Sequence, residues 1–387
     1  MADRFRILGE EHIPWQVFRD AKRIVIKLGT KALITENGQF DDGLFEALAR
    51  DIKTLRDQGK EILIVSSGAV NAGLNSLKKQ KRPRDVIDQQ VYAAIGNPLL
   101  IEKYRKALSF TAIAQILVTQ EDLSNRKSFL NVRNTLERMV KKGYIPVINE
   151  NDVVSINELY SDKETEYNFT DNDILAAIIA ASMNAQLLII FSDVDGLYTK
   201  HPNSEYKEFI PYVPVVNRTI REMGQTGTQY GRGGMTSKIH AAEIATQSGS
   251  NVFLCHAKKT SLLDIFSGQA KGTFFLQSTV QLTNKHRWLI YGGIVRGNLD
   301  IDKGAKRAIT NGASLLFGGI TGIEGDFQKN DIVTISYDDE VFAKGIVNYS
   351  TETLERFANM DKEEVLKYFK KHGIREIITH EKMGFGF

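Results

Sequence analysis

Short β-branched runs separated by longer stretches of helical periodicity constrain this chain more than any other feature. Residues 23–27, 61–65, 113–118, 145–148, 186–191 and 251–255 read as strands. Between them, 126–142, 173–183 and 236–247 read as helices. Leu44, Leu48, Ile52 and Leu55 recur at helical spacing, with Gly59 where a helix C-cap is expected. Strands alternating with helices argue for βαβ units, an α/β fold in which helices sandwich a mainly parallel sheet. Ligands bind such sheets beyond the carboxyl ends of the strands. Lys27-Leu28-Gly29-Thr30, Ser66-Ser67-Gly68-Ala69, Asn149-Glu150-Asn151-Asp152 and Ser192-Asp193-Val194-Asp195 all follow predicted strands. Packing alone does not call for four polar clusters at one sheet edge.

The alternation stops near 278–284. Short β runs follow at 287–291, 314–316, 331–336 and 341–348, with Gly318, Gly319, Gly322 and Gly325 among them. This pattern predicts a separate, small, mainly β domain. A mixed-charge helical stretch, 352–372, comes last, and its 361–371 part reads as a solvated face. The expected organisation is an N-terminal extension over 1–21, an α/β domain over 22–278, and a β domain with a helical tail over 285–387. A length of 387 residues accommodates that number of domains.

Global properties exclude several classes. With 42% hydrophobic and 25% charged residues, the chain is neither fibrous nor disordered. A net charge of +3 gives no general footprint for nucleic acid or membrane. No run approaches the ~18 apolar residues of a membrane helix. Residues 1–22 lack the apolar core of a secretory signal, and read as an amphipathic lead-in helix or a disordered tail. The single cysteine, Cys255, sits in an apolar run and fits a reducing, cytoplasmic setting.

The polar clusters suggest phosphate chemistry. In Gly231-Arg232-Gly233-Gly234-Met235-Thr236-Ser237-Lys238, glycines let backbone N–H groups approach an anion, and Thr236 or Ser237 can begin a helix. The order differs from G-x-x-x-x-G-K-[ST], so this is not a P-loop. In Thr170-Asp171-Asn172-Asp173, one member should cap the following helix, and because two aspartates two apart cannot both do so, at least one is left for a different task. Ser192–Leu197 begins like a calcium loop but follows a buried strand and lacks the closing glutamate, so nucleotide contact is the better reading. Lys27 and Lys238 can offset charge on a migrating phosphoryl group, with carboxylates to orient them.

Ile26-Lys27-Leu28-Gly29-Thr30, Ser66–Ala69, Pro146–Asp152, Asp171-Asn172-Asp173 and Gly233–Lys238 together resemble the glutamate 5-kinases of the amino acid kinase superfamily. The segment from Gly312 through Lys344-Gly345-Ile346-Val347 looks like the PUA domain that many of these kinases carry. The resemblance implies ATP- and Mg²⁺-dependent phosphorylation of the γ-carboxylate of L-glutamate. It implies Lys27 and Lys238 at the transferred phosphate, with Asp173 organising both. Ser67, Asn149, Asp152 and Asn172 would hold glutamate. Gly29, Thr30, Ser192, Asp193, Arg232, Gly233, Gly234, Met235, Thr236, Ser237 and Lys238 would line the nucleotide site, and no protein ligand to a metal is assigned. A homo-oligomer and feedback inhibition by proline are further implications.

The chain departs from the family pattern in three places. Arg232 stands where threonine is usual, Asn97-Pro98 where glutamine is common, and 155–170 is longer and more charged. The related acetylglutamate, aspartate and carbamate kinases share the two lysines, but the Asn149–Asp152 loop and the PUA-like tail argue against them. RNA binding by that tail is disfavoured: 285–387 holds 15 basic and 15 acidic residues, with Lys303, Lys306 and Arg307 as a local basic patch.

Overall fold

The computed structural model describes residues 13–35, 37–79, 82–155, 171–200, 207–225, 234–279, 286, 289 and 295–385. They fall into two compact units. One lies within Met1–Asp122 and Lys127–Gln281, the other within Leu123–Arg126 and Leu282–Phe387.

The first unit is built on a sheet of β1 (Arg23–Leu28), β2 (Glu61–Ser66), β3 (Ile113–Val118), β4 (Ile145–Glu150) and β5 (Leu187–Ser192), continued by later strands. After β5 come the short strands β6 (Leu197–Tyr198), β7 (Phe209–Ile210) and β8 (Tyr212–Val213), then β9 (Asn251–His256) and β10 (Gly272–Phe275). The sheet order is β3-β4-β2-β1-β5-β9-β10-β8, and β6 pairs with β7 separately. Every pairing from β3 through β9 is parallel, while β10 runs antiparallel to β9. Central strands of a parallel sheet are covered on both faces, which is why their sequences are continuous rather than alternating apolar runs. Ile24, Val25, Ile26 and Leu28 in β1, and Leu187 to Phe191 in β5, are all buried. The order reverses at β1, with β2 on one side and β5 on the other. That reversal places the carboxyl ends of β1, β2, β4, β5 and β9 along one crevice.

Helices cover the faces as the periodicity implies. Phe45, Leu48, Ile52 and Leu55 of Asp42–Asp57 are buried, and Gly59 follows the helix end with φ +80°. Ahead of β1, Phe18 is fully buried and packs edge-on to Phe253, Phe266 and Phe274, so described residues 13–21 belong to the core rather than to a tail. The rest of the N-terminal extension lies outside the described residues. Among the described residues no helix is long and apolar enough to cross a membrane.

The second unit contains a five-stranded sheet, β13-β11-β14-β15-β17, and a two-stranded one, β12-β16. Here β11 is Val295–Ile301, β12 Leu315–Leu316, β13 Ile320–Gly325, β14 Ile332–Tyr337, β15 Glu340–Ile346, β16 Glu376–Ile378 and β17 Met383–Phe385. The run 287–291, read as a β run, lies outside the described residues except for Leu289. The sequence reading differs from the structure here in three respects. The stretch 352–372 is two helices, Thr351–Ala358 and Lys362–His372, because a capping box between Asp361 and Glu364 restarts the chain. The second helix is no solvated face, since Val365 and Phe369 are buried, and Phe369 meets Phe357 and Tyr349. Nor are these helices a terminal tail, since β16 and β17 follow them and pair into the sheets.

One contact fixes how the turn after β2 is held. The helices Ala69–Ser76 and Val86–Ala107 cross so closely that a Cβ on Gly96 would lie 1.8 Å from Ala69 O and 2.5 Å from Gly73 N. These are backbone atoms and cannot rotate away. Gly96→Ala should therefore destabilise the protein by about 3 kcal/mol or more, the upper end of the range for overpacked sites. Denaturant unfolding checks this, and a loss below about 0.5 kcal/mol would contradict the close crossing.

Candidate active site

Three segments distant in sequence meet at the carboxyl edge of the sheet. Lys27 is the penultimate residue of β1 and, although a lysine, is only 5% exposed. Gly29 follows, and a Cβ there would stand 3.3 Å from Lys27 Nζ, so the glycine leaves room for the ammonium. Gly29 also N-caps Thr30–Leu33, which places Thr30 at that helix start.

Asp173 comes from the helix Asn172–Ser182. The cap is Asp171, whose Oδ1 accepts from the Asp173 backbone N–H at 2.9 Å. Of the two aspartates, Asp171 thus does the local work and Asp173 is released, fully buried, into the site. Lys238 lies in the first turn of Met235–Gln247 and is 6% exposed. That helix starts at Met235, one residue before Thr236 and two before Ser237, with Gly234 as N-cap and no side-chain cap. Thr236 Oγ1 donates to Gly224 O and Ser237 Oγ to Gly234 O, so both hydroxyls brace the turn.

Asp173 joins the two lysines. Lys27 Nζ lies 2.6 Å from Oδ1, an ion pair without hydrogen-bond alignment. Lys238 Nζ donates to Oδ2 at 3.1 Å. Burial pushes the Asp173 carboxyl up, but Lys27 and then Lys238 outweigh it and hold it below its ordinary value. Burial likewise pushes the Lys238 ammonium down, yet the carboxylate of Asp173, with Asp171 and Asp193 adding to it, leaves it raised. Asp173 is thus an anion and Lys238 a cation at neutral pH, and two lysine side chains converge on this one carboxylate in a dry site. Lysines placed this way can meet the anionic charge that moves in transfer of a phosphoryl group.

Around the triplet the other expected residues divide into two groups. Asn172 Nδ2 donates to Ser67 Oγ at 2.8 Å and to Asn149 Oδ1 at 3.1 Å, tying together the ends of β2 and β4. Asp152 is half-buried two residues past β4, where Glu150 accepts from Ser155 Oγ at 2.7 Å and so closes the loop. On the other side of β1, Ser192 is buried at the end of β5 and its Oγ donates to Asp193 Oδ1 at 3.2 Å. Arg232 and Gly233 lie outside the described residues, as does 156–170.

Sequence reading missed the lysines that anchor the loop after β5. Lys31 pairs with Asp193 at 2.7 Å, and Lys259 and Lys271 pair with Asp195 at 2.9 and 3.4 Å. No local pattern joins residues this far apart, though Lys31 directly after a strand-end motif was a visible signal. With both aspartates engaged by lysines, the loop is poorly suited to calcium.

Asp173 has a sign-definite effect on stability. A carboxyl held below its ordinary value contributes stability that is present above about pH 4 and lost as pH falls through the lowered pKa. Removing one member of a buried ion cluster costs about 3–5 kcal/mol. Asp173→Asn should therefore be less stable at pH 7 by about that amount, with the gap from the wild type narrowing below about pH 4. Denaturant unfolding across that range checks both parts; equal stability at pH 7 would contradict the burial of the triplet.

Comparison with known proteins places the chain. The model of the amino acid kinase family matches residues 22–256 and that of the PUA domain residues 297–369. A glutamate 5-kinase from Desulfitobacterium hafniense is 37% identical over 370 residues, covering 94% of this chain and 98% of its own. One from Methanosarcina mazei is 35% identical over 381 residues, covering 95% and 97%. Among solved structures, carbamate kinase from Giardia lamblia bound to AMP-PNP covers 67% of this chain and 99% of its own, at 13% identity and a TM-score of 0.48. That last likeness is too distant to carry an argument, but the two relatives span nearly the whole molecule. The chain belongs to the amino acid kinase family and, within it, to the glutamate 5-kinases.

Proposed function

We propose that the protein transfers the γ-phosphoryl group of ATP to the γ-carboxylate of L-glutamate, giving L-glutamyl 5-phosphate and ADP, the first step toward proline. The observation that carries this reading is the buried Lys27–Asp173–Lys238 triplet at the carboxyl edge of the sheet. One γ-carboxylate oxygen attacks the terminal phosphorus while the bond from that phosphorus to the departing ADP oxygen breaks. A glutamate carboxylate, with an ordinary pKa of about 4.3, is already ionised at neutral pH, so no base is needed. The obstacle is repulsion between two anions, and Lys27 and Lys238 offset it as charge moves onto the leaving oxygen. Asp173 acts through the lysines as a positioning residue.

Ser67, Asn149, Asp152 and Asn172 are assigned to glutamate, supported by the Asn172 bonds that join the β2 and β4 ends. Gly29, Thr30, Ser192, Asp193 and the turn 232–238 are assigned to the nucleotide, supported by the Gly234 N-cap, which leaves backbone donors at a helix start. The donor set fits Mg²⁺ only as an ion brought in on the nucleotide. Asp171 is engaged by its helix cap and Asp193 by Lys31, and no group of three or more His, Cys, Asp or Glu among the described residues could hold a metal. Magnesium keeps several waters and binds readily through phosphates, so its contribution here would be to neutralise phosphate charge.

ADP release measured with L-glutamate, N-acetylglutamate, aspartate and carbamate tests the assignment. Turnover is expected with L-glutamate, and no response to it would sink the reading. Lys238→Ala should lower kcat by a factor on the order of 10²–10³, about 3–4 kcal/mol of barrier. Near-normal turnover in that variant would remove Lys238 from the mechanism.

A further inference from the structure

The helix Val86–Ala107 has no part in the site so far, yet its last turn sends a hydroxyl to the end of β2. Tyr104 is fully buried, with its ring edge-on to Phe45 at 5.0 Å. Its hydroxyl lies 2.9 Å from Oγ of Ser66, which is fully buried as well. Phenylalanine would fill the same space without carrying a polar atom into the core, so the hydroxyl calls for an account.

Counting hydrogens gives the bond its direction. Ser66 Oγ has one hydrogen, which it donates to the Ser67 carbonyl at 3.0 Å. Tyr104 is therefore the donor and Ser66 Oγ the acceptor. Burial holds the Tyr104 phenol above its ordinary value, so it keeps that hydrogen through the neutral range. The outcome is a relay of hydrogen bonds from Tyr104 through Ser66 to the carbonyl of Ser67.

That carbonyl is the soft point of the turn. Gly68 follows at φ +105°, a left-handed conformation that glycine reaches at no steric cost, and a glycine does little to restrict the peptide before it. The other groups of Ser67 are tied to the elements that carry the triplet. Its N–H donates to Leu28 O at 2.9 Å, one residue past Lys27. Its Oγ accepts from Asn172 Nδ2 at 2.8 Å, one residue before Asp173. Because Oγ is the acceptor there, its own hydrogen is left to donate, and the setting of the Ser67 backbone aims it. We propose that Tyr104 is a positioning residue for glutamate, fixing the Ser67 carbonyl through Ser66 and so the direction in which the Ser67 hydroxyl meets the substrate. This inference rests on the assignment of Ser67 to glutamate.

Steady-state kinetics of the full-length protein with ATP and L-glutamate test it. Tyr104→Phe deletes only the hydroxyl and keeps the ring on Phe45. It should raise KM for glutamate at least about fivefold and leave kcat and KM for ATP within about twofold, the pattern of lost ground-state binding. Ser66→Ala cuts the same relay at its middle and should give the same change, and combining the two should add less than about a further twofold. Ser67→Ala should itself raise KM for glutamate. In that background Tyr104→Phe should change KM by less than about twofold, because the group it positions is gone. A Tyr104 that only fills the core would lower the melting temperature and leave KM for glutamate at the wild-type value, and that result would overturn the proposal. So would a rise in KM of the same factor with and without the Ser67 hydroxyl. Should Tyr104→Phe not fold, Ser66→Ala carries both readouts. If Ser67→Ala alone leaves KM for glutamate unchanged, the assignment beneath the proposal fails instead.

Discussion

Everything at the carboxyl edge of the kinase unit is arranged around one carboxylate holding two ammonium groups out of water. An isolated buried charge is expensive, and a lysine at the end of a buried strand would normally extend its ammonium to solvent. Lys27 and Lys238 do not, because Asp173 lies between them with no exposed surface. Two lysines held at one carboxylate are also the chemically useful part, since both can meet an incoming anion.

Rigid elements set that geometry. Lys27 is fixed by a strand paired on both sides, Asp173 by a helix whose cap is its neighbour Asp171, and Lys238 by a second helix packed against the first. The same helix start that presents Asp173 also presents Asn172, which ties the β2 and β4 ends to each other. A shift of Asn172–Ser182 would therefore disturb the lysines and the loops assigned to glutamate together. Such coupling of positioning to chemistry is what makes small displacements at an active site costly.

Much of this was legible in the chain, and the gaps have physical reasons. The β-branched runs that end in polar clusters mark the strands and their functional edge, because parallel strands are apolar on both faces until they leave the sheet. Two aspartates two residues apart cannot both cap one helix, so a released carboxylate was foreseeable, though not which of the two. The second unit was harder to read. β13, Ile320–Gly325, contains two glycines and a glutamate and is identified as a strand only by its pairing with β11. The break at 359–361 was hidden because the Asp361–Glu364 capping box sits inside a charged run that looks uniformly solvated. The lysines that brace Asp193 and Asp195 come from three separate segments, and sequence spacing carries no trace of that convergence.

If Asp173 acts by holding the lysines, it and they form one functional unit, and their effects on turnover cannot be independent. A double-mutant cycle on kcat with Asp173→Asn, Lys238→Met and the two combined measures this directly. The expected result is strong non-additivity, with the double variant losing little more than the worse of the two single variants. Losses that multiply, as for two sites acting separately, would contradict the central role given to the triplet.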